Sequence, residues 1–120
     1  MDIQHFETLV VSALEDIKGK DIRVIDTTRL TSLFDRVIIA TADSNRQTRA
    51  LARHVADKAR EAGLEVVGIE GEGTGEWVLV DLGAIVVHIM QPATRSYYNL
   101  EELWGGKGPE RVRKATAAAA

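Results

Sequence analysis

The chain has 120 residues, of which 45% are hydrophobic, and this length and composition predict one domain with a single core. Its 15 basic and 18 acidic residues give a net charge of −3. That balance argues against a general nucleic-acid coat or a polybasic membrane binder, because both depend on excess positive charge. The chain contains no cysteine, which excludes disulfide scaffolds, thiolate metal sites and cysteine nucleophiles.

No apolar run reaches the roughly 18 residues that a membrane span requires. The N-terminal residues lack the basic start and apolar stretch of a signal peptide. We therefore expect a cytoplasmic protein without a membrane partner.

The N-terminal part of the chain predicts one helix followed by two strands. Apolar residues between positions 6 and 17 recur at the spacing of one helical stripe, with Glu7 off that stripe, and Gly19 is placed to end the helix. Residues 21–26 and 37–41 then predict short strands. The second strand lacks alternation, so we expect it to be covered on both faces.

A second helix and a third strand follow. Ser44 and Gln47 have the spacing of a capping box, and an alanine-rich apolar stripe continues until Gly63. Residues 64–70 predict a strand, and residues 70–76 form a glycine-rich loop with three glutamates. The loop lacks the spacing of a dinucleotide-binding or phosphate-binding loop, so we interpret it as a flexible connection.

The C-terminal part predicts a β-hairpin and a final helix. The hairpin consists of residues 77–81 and 85–90. Thr94 is placed to cap the final helix, and Gly105 is placed to end it. One stripe of this helix would contain Tyr97, Leu100 and Trp104. The other would contain Tyr98, Glu101 and Glu102, an acidic and aromatic surface suited to a basic partner, although acidic helix faces are usually only solvated.

Helices interspersed with strands, including one tight hairpin, predict an α/β (α+β) fold with a mixed five-stranded sheet flanked by helices. Residues 1–106 are expected to form the domain. Residues 107–120 are expected to be a disordered tail, because they begin with basic residues and end in low-complexity alanines.

The predicted hairpin has one aliphatic face and one mixed face. With a two-residue turn at Gly83 and Ala84, strand alternation places Trp77 opposite Met90 and Leu79 opposite His88. The aliphatic face must be core. The mixed face comprises Trp77, Leu79, Asp81, Val86, His88 and Met90. It is either a protein interface, where Trp and Met are enriched, or a surface that the final helix covers.

No catalytic, cofactor or metal site is predicted. The three histidines lack the short spacing of metal ligands, and no G-x-S-x-G nucleophile elbow occurs. Asp81 and His88 could form a catalytic pair, but neither has a serine nearby in sequence. The favoured interpretation is that these two side chains hydrogen-bond to each other or to the backbone.

Four ordered motifs carry a resemblance to a known family. They are residues 35–41 (DRVIIAT) leading to 44–47 (SNRQ), residues 77–81 (WVLVD), residues 86–90 (VVHIM) and residues 95–104 (RSYYNLEELW). With these motifs at consistent spacing over about residues 3 to 106, the sequence resembles the ribosomal silencing factors of the Iojap family.

The resemblance implies a nucleotidyltransferase-like fold without catalytic residues, and binding to the large ribosomal subunit through ribosomal protein L fourteen. Binding there would block association with the small subunit and repress translation when nutrients are scarce. A homodimer is implied for the free protein, and no specific nucleic-acid contact is expected. The family's aromatic and polar positions map onto Trp77, Asp81, His88, Arg95, Tyr98, Glu101 and Trp104. Met90, on the same hairpin face, completes the predicted partner-binding set.

The sequence departs from the family pattern at a few positions. Arg36 stands where the family usually has an aromatic residue, Met90 replaces a common phenylalanine, and Gly106 replaces an acidic or small residue. Two other functions are the alternatives. A dimeric adaptor for another basic protein fits the same surface. A nucleotidyltransferase would need paired carboxylates for Mg²⁺ and a Gly-Ser turn, and the sequence has no Gly-Ser, D-x-D or D-x-E.

Overall fold

The computed structural model describes residues 2–105 and the backbone of residues 110–112. Its helices are α1 (Ile3–Asp16), α2 (Asn45–Glu61), α3 (Pro92–Tyr98) and α4 (Leu100–Gly105). Its strands are β1 (Lys20–Asp26), β2 (Arg36–Thr41), β3 (Gly68–Glu70), β4 (Trp77–Asp81), β5 (Ile85–Met90) and β6 (Glu110–Val112).

The strands form one mixed sheet in the order β3-β4-β5-β2-β1-β6. β2 and β5 are parallel, and every other neighbouring pair is antiparallel. The predicted α/β (α+β) fold with a mixed sheet and flanking helices is confirmed, and β1 to β5 correspond to the five predicted strands. The short β6 extends the sheet beyond β1.

Helices α1 and α2 pack on one face of the sheet, which we call the inner face. Both begin at side-chain caps: the Asp2 carboxylate accepts from the backbone N–H groups of Gln4 and His5, and the Ser44 hydroxyl accepts from Gln47 N at 3.1 Å. The Gln47 side chain accepts in return from Asp43 N, one residue before the cap. Capping of α2 by Ser44 is therefore confirmed.

The inner face contains the main core. The aliphatic hairpin residues Val78, Val80, Ile85, Val87 and Ile89 are all buried against α1 and α2. The cross-strand pairs Trp77 with Met90 and Leu79 with His88 occur as predicted. All of β2 is buried, which confirms that this strand is covered on both faces.

A smaller core lies on the opposite, outer face of the sheet. Ile39, Met90 and Leu100 are buried there, with Phe34 and Trp104 packed against them. Because α3 and α4 are short, they cover only part of this face, and the outer side chains of β4 remain partly exposed.

Strand β3 is shorter than predicted. The sequence predicted residues 64–70, but only Gly68–Glu70 is a strand. Gly68 pairs with Asp81, the last residue of β4, so residues before Gly68 would have to pair with the hairpin turn. Leu64 packs into the main core instead.

The predicted final helix is two helices. Asn99 adopts the left-handed conformation (φ 49°, ψ 57°) and separates α3 from α4. The cap of α3 is Gln91 rather than Thr94, because Pro92 occupies the first turn, where its missing N–H costs nothing. Prediction of a single helix capped by Thr94 was therefore wrong.

Glu7 is also placed differently from the prediction. It points inward from α1 with only 1% of its surface exposed. Its Oε1 accepts from Arg36 Nε at 2.9 Å, which joins α1 to the start of β2. Arg36, one of the three residues that depart from the family pattern, thus has a buried acidic partner in this chain.

The predicted disordered tail, residues 107–120, lies outside the described residues except for the backbone of Glu110–Val112, which forms β6 on the edge of β1. Among the described residues, no helix combines the length and the hydropathy that crossing a bilayer requires.

Candidate partner-binding surface

Trp77 is the centre of a cluster on the outer face. It begins β4, and strand alternation points its ring to the side where helical cover is incomplete. Its cross-strand neighbour Met90 is 0% exposed, because α4 and β2 enclose it. Met90 therefore packs beside Trp77 within the smaller core, and its contact with a partner stays a prediction.

Trp77 is fixed by a hydrogen bond to His88 on β5. The indole Nε1 donates to His88 Nδ1 at 2.9 Å. This bond requires an unprotonated Nδ1, so the ring proton must be on Nε2. Burial lowers the pKa of His88 from 6.5 to about 4, which keeps the imidazole neutral at physiological pH. The pair is thus a neutral, oriented unit.

Two tyrosines from α3 extend the cluster. The ring centroid of Tyr98 lies 4.9 Å from that of Trp77, and Tyr97 lies 4.9 Å from Tyr98 with its ring nearly perpendicular. Tyr98 is 53% exposed and Tyr97 is 81% exposed. We call Trp77, His88, Tyr97 and Tyr98 the aromatic patch.

Tyr97 was not among the predicted contact residues. The periodicity of a single long helix assigned it to the same stripe as Leu100, which is buried, but the break at Asn99 turns Tyr97 outward. Asparagine adopts the left-handed conformation more readily than most residues, so Asn99 was the available signal.

Arg95 and Glu101 form an ion pair beside the patch. Arg95 Nη2 lies 2.8 Å from Glu101 Oε2, and the two side chains are only 12% and 16% exposed. Arg95 Nη1 also donates to Asp21 O and to Thr41 Oγ1, both at 2.7 Å. The two predicted contact residues are therefore engaged with each other and with the body of the domain.

Asp81 and Trp104 lie apart from the aromatic patch. Asp81 is at the other end of β4 from Trp77, about 13 Å away at the usual rise of a strand. Its Oδ1 accepts from Gly83 N at 2.9 Å and so stabilises the hairpin turn. Trp104 packs edge-to-face on Phe34, with ring centroids 5.2 Å apart, in the smaller core.

The glycine-rich loop before β4 is held by α2. Arg49 donates to Glu72 O and Gly73 O, and Thr48 Oγ1 donates to Gly75 O at 2.6 Å. Gly71 has φ +90°, and a Cβ there would lie 2.0 Å from Trp77 O. The loop therefore determines where the backbone of Trp77 enters the sheet.

The aromatic patch has the composition of a protein interface. Accessible Trp and Tyr rings are typical anchors of protein partners. Here a hydrogen bond and a tilted ring contact already hold Trp77 and Tyr98 in place. In the part of the chain that the structure describes, no group of three or more His, Asp or Glu side chains could hold a metal ion.

Comparisons with known proteins show which family this chain is similar to. A sequence model described as "Ribosomal silencing factor during starvation" matches residues 2–120. A ribosomal silencing factor from Chromobacterium violaceum is 60% identical over 109 residues, covering 91% of this chain and 89% of that protein. The chloroplastic protein Iojap of Zea mays is 36% identical over 104 residues, covering 87% of this chain and 45% of the maize protein.

A solved structure agrees with these matches. The crystal structure of a Chromobacterium violaceum protein superposes on this chain with a TM-score of 0.86 at 55% identity, and the match covers 100% of both chains. The resemblance inferred from the motifs is confirmed, and the chain belongs to the family of ribosomal silencing factors.

Proposed function

We propose that this protein represses translation in the cytoplasm by binding the large ribosomal subunit through ribosomal protein L fourteen. Bound there, it blocks association with the small subunit, notably under nutrient limitation. Membership of the silencing-factor family supports a regulatory role on the ribosome. The observation that carries the proposal is the chain of ring contacts from the half-buried Trp77 to the exposed Tyr98 and Tyr97.

The aromatic patch is the docking surface in this proposal. Trp77 and Tyr98 act as anchors, because rings that are already held in place lose little conformational freedom on binding. His88 holds the Trp77 ring in its orientation by accepting the indole N–H. Carboxylates near the patch, such as Glu70 opposite Leu79 on β3, favour a basic partner and assist its encounter.

The mechanism is steric exclusion without catalysis. Nucleotidyl transfer would require paired carboxylates and a Gly-Ser turn that the sequence does not contain. The net charge of −3 favours a protein contact over a nucleic-acid contact. In solution the free protein forms a homodimer in this proposal, and the ribosome-bound form needs only one accessible patch.

Co-sedimentation with isolated large subunits at moderate salt tests the proposal. Trp77→Ala and Tyr98→Ala should each weaken binding by about 2 kcal/mol, or roughly thirtyfold, while the protein stays folded in circular dichroism melts. Leu30→Ala, which truncates an exposed apolar side chain outside the patch, is the matched control and should bind like wild type. Normal binding of a folded Trp77→Ala, Tyr98→Ala double variant would exclude the patch as the docking surface.

A second experiment distinguishes a silencing factor from a general adaptor for basic proteins. Binding to purified ribosomal protein L fourteen should match binding to the large subunit and should be lost in the same two variants. Equal binding to unrelated basic proteins of similar charge would instead favour the adaptor.

A further inference from the structure

Helix α3 carries both exposed tyrosines but has no apolar anchor of its own. None of its seven residues is buried, and its cap Gln91 makes no side-chain capping bond. A helix of this length is not stable by itself in water, so contacts with the rest of the domain must hold it in place.

The cap Gln91 holds the start of α3 through its side-chain bonds to Asn45 and Gly75, and Arg95 holds the body of the helix. Its Nε and Nη2 both donate to Glu101 Oε2, at 2.9 and 2.8 Å, which ties α3 to α4. Its Nη1 donates to Asp21 O on β1 and to Thr41 Oγ1 on β2. One guanidinium therefore connects α3 to two strands and to the following helix. The planar fork of an arginine can make this set of bonds, whereas the single ammonium of a lysine cannot.

The backbone of β1 is shaped to receive Arg95. The pairing of β1 with β2 is interrupted between Lys20 and Arg23, and Asp21 within this bulge adopts φ +47°. Such a conformation is costly for a residue with a side chain and persists only where its surroundings compensate. Here the carbonyl of Asp21, outside the regular pairing, accepts from Arg95.

The position of Arg95 determines where Tyr98 lies within the aromatic patch. Tyr98 follows Arg95 by three residues, on the next turn of α3, and its ring contacts that of Trp77 on β4 at a tilt of 49°. Any shift or fraying of α3 would separate these two rings. The mostly buried ion pair is poorly placed to contact a partner directly.

We infer that Arg95, with Glu101, is a positioning residue for partner binding, which fixes α3 so that the Tyr98 ring contacts Trp77 before the partner arrives. The inference rests on the proposed function for its binding readout. The free protein supplies an independent readout, because the environment of Trp77 reports whether Tyr98 is in place.

The test uses Arg95→Met, Arg95→Lys and Glu101→Gln, each in a Trp104→Phe background in which Trp77 is the remaining tryptophan. Arg95→Met should shift Trp77 emission to longer wavelength and increase its quenching by acrylamide in the free protein. If the arrangement with Tyr98 against Trp77 falls to about a tenth of the population, affinity for large subunits falls about tenfold. Arg95→Lys should show smaller changes in emission and affinity than Arg95→Met. Glu101→Gln should also show smaller changes, because it keeps the remaining bonds of Arg95.

Arg60→Met and Glu61→Gln are the matched controls. Arg60 pairs with Asp57, and Glu61 pairs with Lys58, both on the exposed side of α2. Both controls should leave Trp77 emission and binding unchanged. Arg95 and Glu101 act through the same ion pair. The Arg95→Met, Glu101→Gln double variant should therefore bind no more weakly than Arg95→Met alone.

Unchanged Trp77 emission and quenching in Arg95→Met would overturn the inference, as would additive binding losses in the double variant. If Arg95→Met does not fold, the same two readouts on Arg95→Lys and Glu101→Gln decide. Normal binding by Tyr98→Ala would refute the proposed docking surface while leaving the fluorescence result to judge the positioning role.

Discussion

His88 makes stability depend on pH in a way that can be worked from the structure. Its Nδ1 accepts the Trp77 indole N–H at 2.9 Å, and burial lowers its pKa from 6.5 to about 4. Protonation in the folded state would place a charge in a poorly hydrated site and would replace the acceptor with a second donor. Acid should therefore destabilise the fold through this one residue.

The sign and the size follow from proton linkage. Between pH 6.5 and about 4, the unfolded chain binds a proton at His88 that the folded chain does not. The contribution of His88 is fully present above pH 6.5 and is lost as pH falls through that window. At 1.36 kcal/mol per pH unit, the complete loss is roughly 3 kcal/mol, a large part of the stability of a small domain.

The assay is urea unfolding of wild type and His88→Gln at several pH values between 7.5 and 4.5. The glutamine oxygen can still accept from Trp77 but does not titrate, and other groups that titrate in this range are common to both proteins. The free energy of unfolding of wild type should fall by about 2–3 kcal/mol more than that of the variant. Parallel pH profiles for the two proteins would refute the assignment of His88 as the buried, neutral acceptor.

Three further predictions concern the scaffold. Val80→Asp should unfold the domain in circular dichroism, because an unpaired carboxylate in the main core costs several kcal/mol; a near-wild-type melt would contradict the inner-face packing. Arg36→Met should lower the free energy of unfolding in urea by about 3 kcal/mol by removing the ion pair with the buried Glu7, and adding Glu7→Leu should recover most of that loss. Gly71→Ala should lower the melting temperature and also weaken large-subunit binding, because its Cβ would collide with the Trp77 backbone; unchanged values of both would show that the loop does not position Trp77.

The hairpin and its surroundings were predictable because their pattern is local. A two-residue turn fixes the register of β4 and β5, and strand alternation then determines which residues face inward. The same alternation predicted the mixed face on which Trp77 and His88 come together. These inferences required only the sequence and the geometry of strands and turns.

Other features depend on contacts between distant residues. Glu7 is buried because Arg36, far along the chain, lies against it, and helical periodicity alone placed Glu7 on the polar side. The break of the final helix at Asn99 accompanies the packing of Leu100 into the smaller core. Periodicity along a single helix does not reveal that packing. The hydrogen bonds of Arg95 depend on the bulge at Asp21, and no residue pattern in the sequence predicts that bulge.

Light scattering of subunit association tests the central claim most directly. Isolated large subunits are preincubated with wild-type protein, with Tyr98→Ala or with the control Leu30→Ala, and small subunits are then added. The proposed function predicts that wild type and Leu30→Ala suppress the rise in scattering, while Tyr98→Ala needs roughly thirtyfold more protein for the same effect. Association that proceeds unhindered with wild-type protein in excess, or that a folded Tyr98→Ala blocks at the wild-type concentration, would contradict it.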